Sequence, residues 1–177
     1  MAQSYREIER KFTVRVPPET ADPGVRIEQG YLVAAWDSPR AVEIRVRRMD
    51  GRRAVLTVKK ALADAERVEV EINLSADEFA QLWALTAGHR IVKRRRRIAL
   101  TGGLTAEYDE YEGSLAGIRV VEVEFPTGEQ AKAFEPPEWF GPDVSGDPAY
   151  QNSVLASRAP GQRQDVSMEA TSREFTA

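Results

Sequence analysis

Charged residues of one sign recur two positions apart along this chain, as Glu7/Glu9, Arg45/Arg47, Glu69/Glu71, Lys93/Arg95 and Glu122/Glu124. In an extended strand, residues two apart share a face. Each pair therefore points one way, while Ile8, Val46, Val70, Val123 and their like point the other. The alternation predicts strands over 6–14, 41–48, 54–60, 67–74, 91–98, 105–111 and 119–125, with a short extended piece at 29–34. Asp50-Gly51, Thr101-Gly102-Gly103, Glu112-Gly113 and Pro126-Thr127-Gly128 supply the turn chemistry between them. An antiparallel meander is the natural assembly.

An ordinary sheet with one solvated face also alternates. Sorting by sign argues against that reading, because a solvated face mixes signs. Like charges two apart on one strand repel, and a carboxylate pair is comfortable only with a cation nearby. Composition restricts what that cation is. The chain has no cysteine and a single histidine, His89, beside a turn glycine. Thiolate sites and disulfides are excluded, and a His-rich zinc centre or a serine–histidine triad has little support. Carboxylate pairs on adjacent strands are the oxygen ligand set of Mg²⁺ or Mn²⁺. Clustered Arg and Lys are the complementary clamp for phosphoryl oxygens, bidentate where the cation is Arg. Both sets on one sheet face describe a polyphosphate site. About eight strands close into a barrel whose interior holds side chains or one small ligand. The polar face would then point inward and the apolar face outward, beneath helices.

Three helices are expected. Ser75-Ala76-Asp77-Glu78 opens one that runs to about Ala87; the others cover Thr127 to Phe134 and Gln151 to Ser157. Residues 135–150 read as an irregular segment pinned by Trp139 and Phe140. A length of 177 residues suits one domain, taken as 1–159, followed by a polar tail at 160–177 expected to be mobile. No apolar run reaches the roughly 20 residues that cross a bilayer, so the expectation is a cytoplasmic protein without membrane contact. A net charge of −3 gives no global attraction to nucleic acid. A homodimer is left open.

Glu7-Ile8-Glu9-Arg10-Lys11 resembles the Glu-x-Glu-x-Lys motif of the CYTH superfamily, also called triphosphate tunnel metalloenzymes. The likeness continues in family order through Gln29-Gly30-Tyr31-Leu32, Glu43-Ile44-Arg45-Val46-Arg47, Leu56-Thr57-Val58-Lys59, Arg67-Val68-Glu69-Val70-Glu71, Lys93-Arg94-Arg95, Asp109 and Val121-Glu122-Val123-Glu124-Phe125. It ends with Pro137-Glu138-Trp139-Phe140-Gly141 and Asp147-Pro148-Ala149-Tyr150-Gln151-Asn152. The chain departs from the family at Ala149, where a basic residue often precedes the tyrosine. Lys60 adjoins Lys59, and strand parity with Thr57 favours Lys59.

The resemblance implies a mainly β (α+β) fold, a closed antiparallel eight-stranded β-barrel with flanking helices. It implies Mg²⁺ or Mn²⁺ on Glu7, Glu9, Glu122 and Glu124, with Glu69, Glu71 and Asp109 as further candidate ligands. Lys11, Arg45, Arg47, Lys59, Lys93 and Arg95 would bind triphosphate, with Tyr31, Lys93 and Glu9 at the reacting end. The implied activity is hydrolysis of inorganic triphosphate, as in small bacterial members, since no base-recognition motif is evident. A class IV adenylate cyclase, a nucleoside or thiamine triphosphatase and a non-catalytic polyphosphate-binding module are the alternatives.

Overall fold

The computed structural model describes residues 4–5, 8–33, 42–61 and 67–158. Glu7, the strand ends expected at 6–7, 34 and 41, and the tail expected at 160–177 lie outside the described residues. The elements are β1 (Ser4–Tyr5), β2 (Ile8–Val14), β3 (Val25–Val33), β4 (Val42–Met49), β5 (Arg53–Ala61), β6 (Arg67–Leu74), α1 (Ala76–Ala84), β7 (Arg90–Ala99), β8 (Thr105–Tyr111), β9 (Arg119–Phe125), α2 (Gly128–Ala133), β10 (Phe140–Asp143) and α3 (Asn152–Arg158). Among the described residues, no helix is long and apolar enough to cross a membrane.

Among the described residues, the strands join one antiparallel sheet of 10 strands in the order β1-β6-β5-β4-β3-β7-β8-β9-β2-β10. The expectation of a closed eight-stranded barrel needs correction on two points. Among the described residues the strand count rises because Ser4–Tyr5 and Ile8–Val14 are described as two segments, and because Phe140–Asp143, read from sequence as irregular, pairs with β2. That extra strand satisfies backbone groups that β2 would otherwise present along an open edge. Among the described residues no ladder joins the two end strands, β1 and β10. The sheet's flanks are nonetheless tied covalently: β1 lies on β6, β2 lies on β9, and only residues 6 and 7 separate β1 from β2. Three Cα steps span at most about 11 Å, so the sheet curls until both flanks meet one N-terminal segment.

β3 starts earlier than alternation suggested, at Val25. Its first half carries Arg26 and Glu28 on the outer face, where Arg48 bonds Glu28 at 2.7 Å and Arg26 reaches it at 3.2 Å. A paired polar surface of this kind hides the apolar half of the strand pattern.

Two apolar clusters cover the outside of the sheet. Phe12, Tyr108, Val121, Val123 and Phe125 pack under Ala131 of α2 and Phe140, with Phe134 and Trp139 against them. Val46 and Ala54 pack under Phe79, Leu82 and Trp83 of α1. That helix opens with a capping box: Ser75 N–H donates to the Glu78 carboxylate at 2.7 Å, and Glu78 N–H donates to Ser75 Oγ at 3.3 Å. A third cluster occupies the other face. Leu155 and Ala156 of α3 pack with Tyr31, Ile91, Tyr111, Leu115 and Val120.

Gly30 shows how tightly the site's strand is held from behind. A Cβ there would lie 2.4 Å from Thr86 Oγ1 and 2.7 Å from Thr86 Cβ. Thr86 cannot swing away cheaply, because its hydroxyl donates to the Trp83 carbonyl at 2.8 Å and accepts from Arg90 Nε at 2.9 Å. Gly30→Ala is expected to cost about 1–3 kcal/mol through overpacking, read as a lower urea midpoint with an unchanged m-value.

Candidate active site

Strand register extends one polar face across the sheet. Glu9 lies opposite Glu124 and Lys11 opposite Glu122; Glu122 also faces Glu107. Arg95 faces Asp109, and Lys93 faces Tyr111. Gln29 faces Arg47, Tyr31 faces Arg45, Arg45 faces Thr57, Thr57 faces Glu71, and Lys59 lies between Glu43 and Glu69. α1 and α2 pack on the opposite, apolar face. Lys93 at 1% exposure and Asp109, Gln29 and Thr57 at 0% are therefore hidden chiefly by the curvature of the sheet. The inward polar face read from parity is what the fold builds.

The β8–β9 side of this interior is a carboxylate wall laced by cations. Arg95 grips Asp109 with two parallel bonds, Nε to Oδ1 at 2.7 Å and Nη2 to Oδ2 at 2.6 Å. The same guanidinium reaches Glu122 at 2.7 Å and also bonds Glu107. Lys93 Nζ donates to Asp109 at 2.6 Å, and Lys11 Nζ to Glu122 at 2.8 Å. Buried charges persist only when paired and hydrogen-bonded like this. Burial opposes ionisation of Glu122, but Lys93, Lys11 and Arg95 together hold its carboxyl well below the usual range. Burial, reinforced by Arg95, pushes the Lys93 amine down to about 8, against the upward pull of Asp109 and Glu122.

The β3–β5 side is richer in cations. Arg45 Nη1 reaches Glu43 at 3.3 Å, and Lys59 reaches Glu69 at 3.3 Å. Arg47 is different: its Nε donates to the neutral Gln29 Oε1 at 2.9 Å, and it forms no ion pair among the described residues. Burial, together with repulsion from Arg45 and Arg95, pushes the Arg47 guanidinium down to about 10. Gln29 Nε2 continues the chain to the Tyr31 hydroxyl at 2.5 Å. Burial raises the Tyr31 phenol well above its ordinary value, so it stays protonated.

The structure brings Lys11, Arg45, Arg47, Lys59, Lys93, Arg95 and Tyr31 onto one face, as the sequence suggested. The candidate metal ligands are more dispersed, and no group of three or more carboxylates among the described residues is already gathered around a cation position. Asp109 and Glu122 are engaged by Lys93, Arg95 and Lys11. Glu69 is beside Lys59, and exposed Glu71 accepts from Thr57 at 3.3 Å. Glu9 and Glu124, both exposed, oppose each other across β2 and β9. Directly opposed like charges are unfavourable unless a cation relieves them, and a set of carboxylate oxygens suits a hard divalent ion. The donor chemistry of Glu9, Glu122 and Glu124 thus fits Mg²⁺ or Mn²⁺.

The family's CYTH domain profile matches residues 5–136. The chain is 38% identical over 154 residues to an inorganic triphosphatase of Nitrosomonas europaea, covering 87% of this chain and 99% of that protein. The chain belongs to the CYTH domain family. An inorganic triphosphatase of Acetivibrio thermocellus is 31% identical over 151 residues, covering 85% of this CYTH chain and 92% of that protein. A crystal structure of an inorganic triphosphatase superposes with a TM-score of 0.68 at 37% identity, over 88% of this chain and 97% of the other.

Some residues of this CYTH site were missed from sequence. Glu107 shares a face with Asp109, a like-charged pair two apart that the pattern already contained. Gln29 was noticed only within its motif, because an uncharged amide carries no sign to sort. α3 was expected as a helix, but its packing against Tyr31 and Tyr111 at one end of the interior was not. Tyr111 also donates to Asn152 Oδ1, anchoring the start of that helix.

Asp109→Asn would leave Lys93 and Arg95 buried without their shared carboxylate. A loss of about 3–5 kcal/mol is expected, measured by chemical denaturation. Lys93 makes a second, pH-dependent expectation. Its folded value of about 8 lies below the ordinary amine value of about 10.4. Between those values the unfolded chain holds more protons, so Lys93's contribution to stability rises as pH climbs through that window. Urea unfolding from pH 8 to 10 should show a more positive slope of stability for the wild type than for Lys93→Gln; equal slopes would contradict the shift.

Proposed function

We propose that this chain hydrolyses inorganic triphosphate to diphosphate and phosphate with the help of Mg²⁺ or Mn²⁺. One observation carries the reading: Arg47, half-buried and bonded to a neutral amide, is repelled by the charges of Arg45 and Arg95. Cations driven together in a low-dielectric interior are unfavourable unless an anion of high charge density joins them. Linear triphosphate supplies such charge along its length. The triphosphatase names of the two bacterial relatives, each aligned over nearly its whole length, agree with this reading.

In this reading the curled sheet works as a closed tunnel, joined where β1 and β2 follow one another, with α3 against one end. Arg45, Arg47, Lys59, Lys93, Arg95 and Lys11 hold the phosphoryl groups and neutralise charge that develops on the leaving diphosphate. Tyr31, kept protonated by burial, donates a hydrogen bond to a phosphoryl oxygen. Glu9, Glu122 and Glu124 hold the divalent cation, with Glu7, Glu69, Glu71 and Asp109 as further candidate ligands. Once bound, the metal supplies positive charge against the phosphoryl oxygens. Glu9 orients the water that attacks the terminal phosphorus. Most of the rate enhancement comes from positioning and preorganised charge.

Phosphate release should be fastest from triphosphate within a panel that includes diphosphate, ATP and thiamine triphosphate, and should stop when a chelator removes the metal. Glu124→Gln, at an exposed position, should keep the melting temperature and lose roughly 100-fold or more in kcat/KM. Full turnover in that variant would overturn the metal assignment. Cyclic AMP and diphosphate from ATP, without free phosphate, would replace hydrolase by cyclase.

A further inference from the structure

We infer that Gln29 is a positioning residue that locks Arg47 and Tyr31 into one phosphate-gripping unit and compels the Tyr31 hydroxyl to donate to substrate. The inference rests on the triphosphatase reading of the site. Its starting point is a hydrogen-bond chain with only one consistent direction. Arg47 Nε can only donate, so the Gln29 atom 2.9 Å from it is the carbonyl oxygen. The other end of the amide, 2.5 Å from Tyr31 Oη, is therefore the NH₂ group. The arginine itself makes this assignment, which is usually ambiguous for a glutamine side chain.

The consequence falls on the tyrosine. Because its oxygen accepts from Gln29, its own proton must be directed elsewhere, and it forms no hydrogen bond to another described side chain. Strand register places Tyr31 opposite Arg45, and Gln29 opposite Arg47. The free O–H therefore lies with the two guanidinium groups that the proposed function assigns to phosphoryl oxygens. A phosphoryl oxygen is the acceptor that this arrangement lacks. At the other end, Gln29 occupies Arg47 Nε alone, which leaves the two terminal nitrogens of the fork for bidentate contact with an anion. A carboxylate at position 29 would neutralise Arg47 and take the Tyr31 proton. The uncharged amide does neither. Gln29 is wholly buried, so water does not substitute for it.

The test uses the full chain, inorganic triphosphate and saturating Mg²⁺ or Mn²⁺. Gln29→Met keeps the volume and removes both bonds; Gln29→Glu reverses the direction of the bond to Tyr31. Each should lower kcat/KM by roughly 10- to 100-fold, the scale of one or two hydrogen bonds to a charged group. Gln29→Glu should be the more damaging, although it differs by a single atom and its new ion pair with Arg47 should preserve the melting temperature. In a Tyr31→Phe background the effect of either substitution should shrink by several-fold, because the hydroxyl it positions is gone. Equal, multiplicative losses in both backgrounds would overturn the proposal, as would unchanged kcat and KM in both single variants. Should the Gln29 variants fail to fold, ¹⁵N spectra of the wild type and Tyr31→Phe decide it. One Gln29 side-chain NH₂ proton should shift upfield when the hydroxyl is removed, and an unmoved resonance would overturn the proposal. Wild-type protein that releases no phosphate from triphosphate would instead overturn the functional reading on which this inference rests.

Discussion

The buried network centred on Arg95 is the constraint on which the rest of this structure depends. One guanidinium binds Asp109 bidentately and reaches Glu122 and Glu107, while Lys93 and Lys11 balance the same carboxylates. Taking ions out of water costs several kcal/mol each, and only close pairing offsets it. Four strands must therefore be held in register: a slip of one residue in β7 or β9 would turn Arg95 or Glu122 to the opposite face and leave its partners buried alone. The network rigidifies the site and limits how the sheet can be assembled.

A charged interior reverses the usual arrangement of a small β protein. Much of the hydrophobic burial that stabilises the fold lies outside the sheet, under α1 on one side and under α2, Phe134, Trp139 and Phe140 on the other. The helices are therefore structural. They let the concave face be given over to ionic side chains, with apolar packing there chiefly at the end where α3 meets Tyr31, Ile91, Tyr111 and Val120. Conflict between stability and function is confined to buried charge. Repulsion on Arg47 from Arg45 and Arg95 is the clearest remnant.

The strands, the turns between them and the three helices were largely legible in sequence, because alternation and capping act over a few residues. β10 was not, since Phe140–Asp143 becomes a strand only by pairing with the exposed edge of β2. The first half of β3 was obscured by Arg26 and Glu28, whose polarity is satisfied on the outer surface. The candidate phosphate-binding cations do share a face, as strand parity requires. The distinction within the acidic residues was invisible, since Glu122 and Asp109 sit in a tight ionic network while Glu9 and Glu124 remain exposed.

By itself the sequence determined the strand faces, the sorting of charge by sign and the absence of thiolate chemistry, because side-chain direction along a strand follows from a period of two. Only the tertiary structure decided which charges meet. Curling the sheet hides Lys93 and Asp109 almost completely, while strand register brings Arg95 to three carboxylates and Gln29 between Arg47 and Tyr31. Those contacts depend on register and curvature between strands far apart in the chain. Local alternation carries no information about either.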